Sequence, residues 1–294
     1  LYIADTGNER IVHLSPDGTF IEAFVKPESE LLGPNFRFTP RKVALSPTGY
    51  LYTIKDQSML QLDAYNNFRG YVGSTRLEFS LNALLIRLFA TAEQKSRLRK
   101  AEPASYLNFC LASDGFVYAT SLDRKGGQIR KLNSIGKNIF PEHFYGERSF
   151  DEAGLPVDPK FEAIAVDRNG IVNVVDINTG RIYQYTRDGV LLTVFGLNGN
   201  KKGMFSAANG LAVDSGGRIF VSDYATGTIQ VFRPTRFIRE IHSAIGLFQD
   251  GRYEEAEIHW RNVQEVCETY RLAYDSLGRI DYKADRFSES MESY

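Results

Sequence analysis

The sequence predicts a mainly β protein with a helical tail, the β part being a radial array of small antiparallel sheets. Three observations predict it. Residues 211–232 read LAVDSGGRIFVSDYATGTIQVF, three short β-branched and aromatic runs set between Gly/Asp/Ser turns, which is the pattern of consecutive antiparallel strands. The glycines recur before any helical stripe can develop. The same pattern returns at 163–185, 109–132 and 43–63, and the chain opens inside a further copy, LYIADTGNERIVHLSPDGTF. A single unit of this kind cannot bury both of its faces, so repetition calls for a closed ring of units. Lastly, the strand grammar stops after Arg236 and a different repeat begins: Ser243, Gly251 and Ala256 have counterparts 34 residues on, at Leu277, Asp285 and Ser290.

The recurring pattern AVD..G.I.V.D...G.I..F resembles the NHL repeat, the blade of a β-propeller, and the resemblance extends over residues 1–238. It implies a six-bladed-type ring, of which about five blades are visible and the N-terminal one is incomplete. The first-turn Gly170 precedes the second-hairpin Gly189 by 19 residues, and Gly18 takes the place of Gly189 in the opening copy. The inner strand of the first blade is therefore expected ahead of Leu1, and the chain is expected to be a fragment. The motif specifies a fold and leaves function open, because propellers host many unrelated activities.

In chain order, residues 1–24 supply the outer strands of the first blade. Asp5, Asp176 and Asp223 share one turn slot, expected to be a structural turn network rather than a metal site. The second blade runs over 40–73. Residues 77–104 then break the pattern: apolar residues at 81, 84, 85, 88 and 89 follow Ser80 as N-cap, and a capping box at Thr91 opens a second helix with a basic face at Lys95, Arg97, Arg99 and Lys100. This predicts a helical insertion. The third blade spans 104–140. A long loop at 141–159 is expected to cover one face of the ring. The fourth and fifth blades run over 160–196 and 206–237.

Residues 239–294 form the last predicted domain. The 34-residue period and the segment GRYEEAEIHW resemble the tetratricopeptide repeat, with Ala256 at the tight helix crossing, Trp260 in the bulky position after it, and the second repeat truncated at Tyr294. Ser243 and Asp281 depart from that family's pattern. The resemblance implies binding through a concave face made by the first helix of each repeat. That face would carry Ile241, Ile245 and Phe248 in the first repeat, and Arg279, Tyr282 and Lys283 in the second. The apolar set in the first repeat argues against a carboxylate clamp, and its packing on the fifth blade would join the two modules as one rigid body.

Composition narrows the function. With 294 residues, 43% hydrophobic content and a net charge of −1, no global field attracts nucleic acid or an anionic membrane. Cys110 and Cys267 share no CxxC spacing. No apolar stretch is long enough to span a bilayer. Among His13, His143, His242 and His259 there is no HExxH, no GxSxG or GxGxxG occurs, residues 135–138 lack the remainder of a P-loop, and Glu147 and Asp151 form no identifiable acid–base pair. The glycine after Asp167-Arg168-Asn169 comes too early for a calcium loop. Catalytic residues, metal ligands and cofactors are therefore predicted to be none, and the expected function is non-enzymatic: a scaffold binding a protein or peptide partner, with no nucleic acid, and with membrane association only through segments outside this chain. Arg279, Tyr282 and Lys283 are the candidate binding residues. The alternative is a metal-dependent hydrolase or lyase, since some six-bladed relatives resemble gluconolactonases and hold a divalent cation in the central channel; Asn108, Glu162 and Asn209, at the start of three inner strands, are the positions it would use. Propellers joined to tetratricopeptide repeats also resemble bacterial proteins exported or held at the cell envelope.

Overall fold

The computed structural model describes residues 1–29, 32, 35–73, 105–122, 127–151 and 153–293. The expected helical insertion at 77–104 lies outside the described residues.

The described strands form a series of antiparallel sheets in chain order. The first holds β1 (Tyr2–Asp5), β2 (Arg10–Leu14) and β3 (Phe20–Phe24); the second β4 (Pro40–Leu45), β5 (Leu51–Lys55), β6 (Ser58–Leu62) and β7 (Phe68–Tyr71); the third β8 (Tyr106–Leu111), β9 (Val117–Ser121) and β10 (Ile129–Leu132). In the long loop, β11 (Ser149–Phe150) and β12 (Pro156–Val157) make a small hairpin where the sequence suggested only loop. The fourth sheet holds β13 (Phe161–Val166), β14 (Val172–Asp176), β15 (Arg181–Tyr185) and β16 (Leu191–Phe195), and the fifth β17 (Ala208–Val213), β18 (Ile219–Asp223) and β19 (Thr228–Phe232).

The first strands of successive sheets adjoin one another: β4 lies by β8, β8 by β13, and β13 by β17. Each junction buries its own apolar core. Phe38, Leu51 and Leu62 meet Ile11 and Phe24 between the first and second sheets; Ile54 and Met59 meet Phe109 and Ala119 between the second and third; Tyr118 and Ile129 meet Ile164 and Tyr183 between the third and fourth; Val175 and Ile182 meet Ile219 and Val221 between the fourth and fifth. Alternation makes this possible, since residues on either side of each strand serve different neighbours.

The repeated aspartate fastens the fourth and fifth sheets. Asp176 Oδ1 accepts the backbone N–H groups of Lys160 (2.8 Å) and Asn178 (3.1 Å), and its Oδ2 accepts the Thr179 hydroxyl (2.7 Å). Asp223 accepts the N–H groups of Ser206, Ala207, Ala225 and Thr226. Both carboxylates are buried, and their oxygens tie the start of the inner strand to the turn after the second strand. In the first sheet Asp5 takes Asn8 and Arg10 instead. This is the structural turn network expected of that slot.

A second repeated device is a bulge. In each inner strand the register slips by one residue against its partner, leaving Arg41, Leu107, Glu162 and Asn209 as the extra residues. Asn108 therefore does not share a slot with Glu162 and Asn209, as the sequence suggested; Leu107 does. A bulge leaves no mark in an apolar/polar pattern beyond a shift of one.

The chain turns helical at Arg236, ahead of the expected boundary at 239, because the Thr235 hydroxyl caps the Ile238 N–H at 3.3 Å. Helices α1 (Arg236–Gln249), α2 (Tyr253–Val266), α3 (Arg271–Lys283) and α4 (Phe287–Ser293) follow. α1 and α2 are joined through Gly251 at φ 77°, and α3 and α4 through Asp285 at φ 60°. These two left-handed residues are the pair that the 34-residue spacing relates. Ala256 is fully buried, as a close helix crossing requires, and Trp260 packs beside it.

Candidate peptide-binding groove

The face of α1 that the sequence offered to a ligand is largely covered by the protein itself. Ile241 and Ile245 are buried in one cluster with Ile171 and Leu192. Those partners belong to the fourth sheet, so the helices dock on the fourth sheet and not on the fifth. A second bulge lies under the helices. β16 slips register between the partners of Gln184 and Tyr185, making Leu192 the extra residue, and Leu192 is 4% exposed under the helices. At the same bulge the first sheet carries Ile21, which is 52% exposed, and the second carries Arg69. An aliphatic residue at this place with a helix over it buries area at about 25 cal/mol per Å². The Tyr270 hydroxyl, just ahead of α3, donates to the Leu192 carbonyl at 3.0 Å.

The docking leaves a groove. Its walls are Ile245, Phe248 and Gln249 of α1, Leu272, Ser276 and Arg279 of α3, and the 186–190 hairpin of the fourth sheet; its volume is about 340 Å³. Of the residues expected to bind, Arg279 lines this groove. Tyr282 stands on the same helix, 62% exposed, its ring edge-on to Phe287 at 5.6 Å. Lys283 is exposed one residue on. These three sit three and four residues apart and share a face. On α3 itself Asp275 faces Arg271 and Asp281 takes Arg286, while Asp188 of the 186–190 hairpin lines the groove opposite Arg279. Arg279 and Lys283 have no carboxylate partner among the described residues. An apolar floor beside two cations that make no ion pair among the described residues, and an exposed tyrosine, suits a segment carrying apolar and acidic side chains.

Next to the groove, His242 of α1 faces Asp167 of the fourth-sheet turn across a cavity of about 200 Å³, also lined by Arg168, Asp214 and Arg239. Burial lowers the imidazole pKa, with Asp167 partly offsetting it, and burial raises the Asp167 carboxyl. His242 Nε2 is buried without a hydrogen-bond partner.

The inner strands offer other chemistry. Lys42 reaches across from β4 to Asn108 Oδ1 on β8, and burial lowers its pKa. Burial likewise raises the Cys110 thiol. Asn209 Oδ1 accepts the Ser222 hydroxyl. Among the described residues no three His, Cys, Asp or Glu side chains converge as a metal site would need. The Lys42–Asn108 pair was missed in the sequence because its members are 66 residues apart, on different strands.

One family model matches the chain: the NHL repeat, over residues 205–232, the span of the fifth sheet. No curated protein sequence matches. Among solved structures, a streptogramin B lyase is similar at 15% identity and a TM-score of 0.46, covering 80% of this chain and 65% of that one. The virginiamycin B lyase of Staphylococcus aureus, in a catalytically inactive form with quinupristin, is similar at 12% identity and a TM-score of 0.43, covering 79% and 65%. The WD40 β-propeller domain of Doa1 is similar at 11% identity and a TM-score of 0.46, covering 78% and 62%. The chain thus spans about 65% of the length of the lyases. The chain is mainly β, with one NHL repeat matched over residues 205–232 and a C-terminal helical segment.

Proposed function

We propose that this protein is a non-enzymatic binding scaffold: a six-bladed-type propeller over 1–238 and a tetratricopeptide-like helical domain over 239–294 that captures a protein or peptide partner. The observation that carries this reading is the α3 face, where Arg279 and Lys283 make no ion pair among the described residues and stand beside a groove of about 340 Å³. The left-handed pair Gly251 and Asp285, with buried Ala256 at the crossing, supports the tetratricopeptide reading. With α1 anchored on the fourth sheet, the second helical pair presents its face from a fixed base, which lowers the ordering cost of binding.

The test is binding of a fluorescein-labelled peptide of alternating Glu and Leu, followed by polarisation. The paired substitution Arg279→Glu and Lys283→Glu is expected to weaken binding by about tenfold or more, with salt acting in the same direction. Equal affinity in the variant rejects this face as the site.

A further inference from the structure

Among the described residues the fifth sheet has no strand at a position that the first, second and fourth sheets fill. In the first, second and fourth sheets a fourth-position strand, β3, β7 or β16, pairs with the outer side of the strand before it. In the third sheet Ile139 takes that place, its N–H donating to the Lys131 carbonyl at 2.8 Å. After β19 the chain instead leaves through Arg233-Pro234-Thr235 into α1. The outer edge of β19 carries no strand among the described residues.

The register says which groups are free. Ile219 pairs with Phe232 as Val117 pairs with Leu132 and Leu51 with Leu62, so Val231 corresponds to Lys131 and Ile229 to Met59. The Lys131 and Met59 carbonyls both accept from the outer strand. In an antiparallel ladder both polar groups of such a residue point the same way. The N–H and C=O groups of Ile229 and Val231 therefore face outward, and their side chains are 68% and 49% exposed.

Beside this edge lies a cleft of about 450 Å³, lined by Thr193 and Phe195 of the fourth sheet, Ile219 and Phe232 of the fifth, and Phe237 and Ile238 of α1. Phe195, Ile219 and Phe232 also belong to the core between the two sheets, so the cleft is the open end of that interface. Among its lining residues Arg233 is the one permanent charge, and no carboxylate lines it.

We propose that this slot receives an extended strand from a partner polypeptide, added antiparallel to β19, with apolar side chains at alternate positions entering the cleft and an acidic residue within reach of Arg233. An open strand edge supplies main-chain hydrogen bonds, and a neighbouring apolar cleft selects the side chains. This surface is separate from the α3 face and does not depend on it.

The probe is the capped peptide Gly-Thr-Phe-Ile-Glu-Ala-Phe-Val, the sequence of residues 18–25, which includes the strand filling this position in the first sheet. The full chain should bind it. Val231→Pro removes one outward N–H at an edge, where proline is tolerated, and is expected to weaken binding by about tenfold or more. Arg279→Glu with Lys283→Glu should leave this binding unchanged. Independently of any variant, the amides of Ile229 and Val231 should gain protection from hydrogen exchange when the peptide is added. No binding, unchanged amide exchange, or equal affinity in a folded Val231→Pro variant overturns the proposal. So does a concentration-dependent dimer of the chain that Val231→Pro abolishes, which assigns the edge to a second copy.

Discussion

The Tyr270 hydroxyl donates a hydrogen bond of 3.0 Å to the Leu192 carbonyl, joining the helical segment to the outer strand of the fourth sheet across 78 residues of sequence. Around that bond Leu192 and Ile171 are buried with Ile241 and Ile245. The helices and the sheets share one core at this point.

Unfolding should show that sharing. Tyr270→Phe is expected to cost about 1 kcal/mol, the net worth of one hydrogen bond. Ile241→Ala is expected to cost about 2–5 kcal/mol by leaving a cavity between the two parts. Trp260 is the sole tryptophan and sits on α2, so its fluorescence follows the helices while far-ultraviolet circular dichroism follows the whole chain. The two probes should coincide in urea for the parent protein and separate in Ile241→Ala.

Asp176→Ala removes the acceptor of the Lys160 and Asn178 N–H groups at a part-buried turn. A loss of about 1–3 kcal/mol per stranded donor is expected in the unfolding free energy. Asp223 should show its role through acid. Burial pushes its carboxyl up, but its backbone N–H partners outweigh that and hold the pKa below the usual carboxylate value. Its contribution is present above the unfolded pKa and is lost as pH falls through the folded one. Asp223→Asn is expected to reduce the acid sensitivity of the thermal midpoint.

His242 and Asp167 act with opposite signs. His242, lowered by burial, favours the folded state above the ordinary histidine range, and this is lost as pH falls. Asp167, raised by burial, contributes stability at low pH that is lost as pH rises through its folded value. In Asp167→Asn the histidine acts without its acidic neighbour, and the thermal midpoint should rise between about pH 5.5 and about pH 7.5. Adding His242→Asn should flatten that rise. Arg168, Asp214 and Arg239, which share the cavity, remain in both variants.

Asp285 holds a left-handed conformation at φ 60° where its counterpart is Gly251. Asp285→Gly relieves that strain and is expected to stabilise by about 1 kcal/mol, read as a rise in thermal midpoint.

Local chemistry was legible in the sequence. Asp and Gly punctuate turns by means that need no partner far away, and so the turn at Asp176 and the helix break at Gly251 could be placed from their own neighbourhoods. Registry and docking were not legible. The bulge at Leu107 shifts Asn108 out of the slot held by Glu162 and Asn209, and a one-residue slip has no compositional mark. The landing of Ile241 on Ile171 and Leu192 joins residues 70 and 49 positions apart in sequence, and no local pattern marks such a contact: Ile21 stands at the same bulge of the first sheet and is exposed. Arg279 was singled out through the resemblance to the tetratricopeptide repeat; the groove beside it needed the hairpin at 186–190.

The inner-strand bulges separate two demands that would otherwise compete. Each extra residue stands outside the ladder, so Arg41, Leu107, Glu162 and Asn209 differ in charge and size while the strands on either side keep the same pairing. The sheets thus have interchangeable positions along their first strands whose identities are free of the register that holds the ladders. Strands built this way can change the residue they present at these positions by single substitutions, without first finding a compensating change elsewhere in the fold.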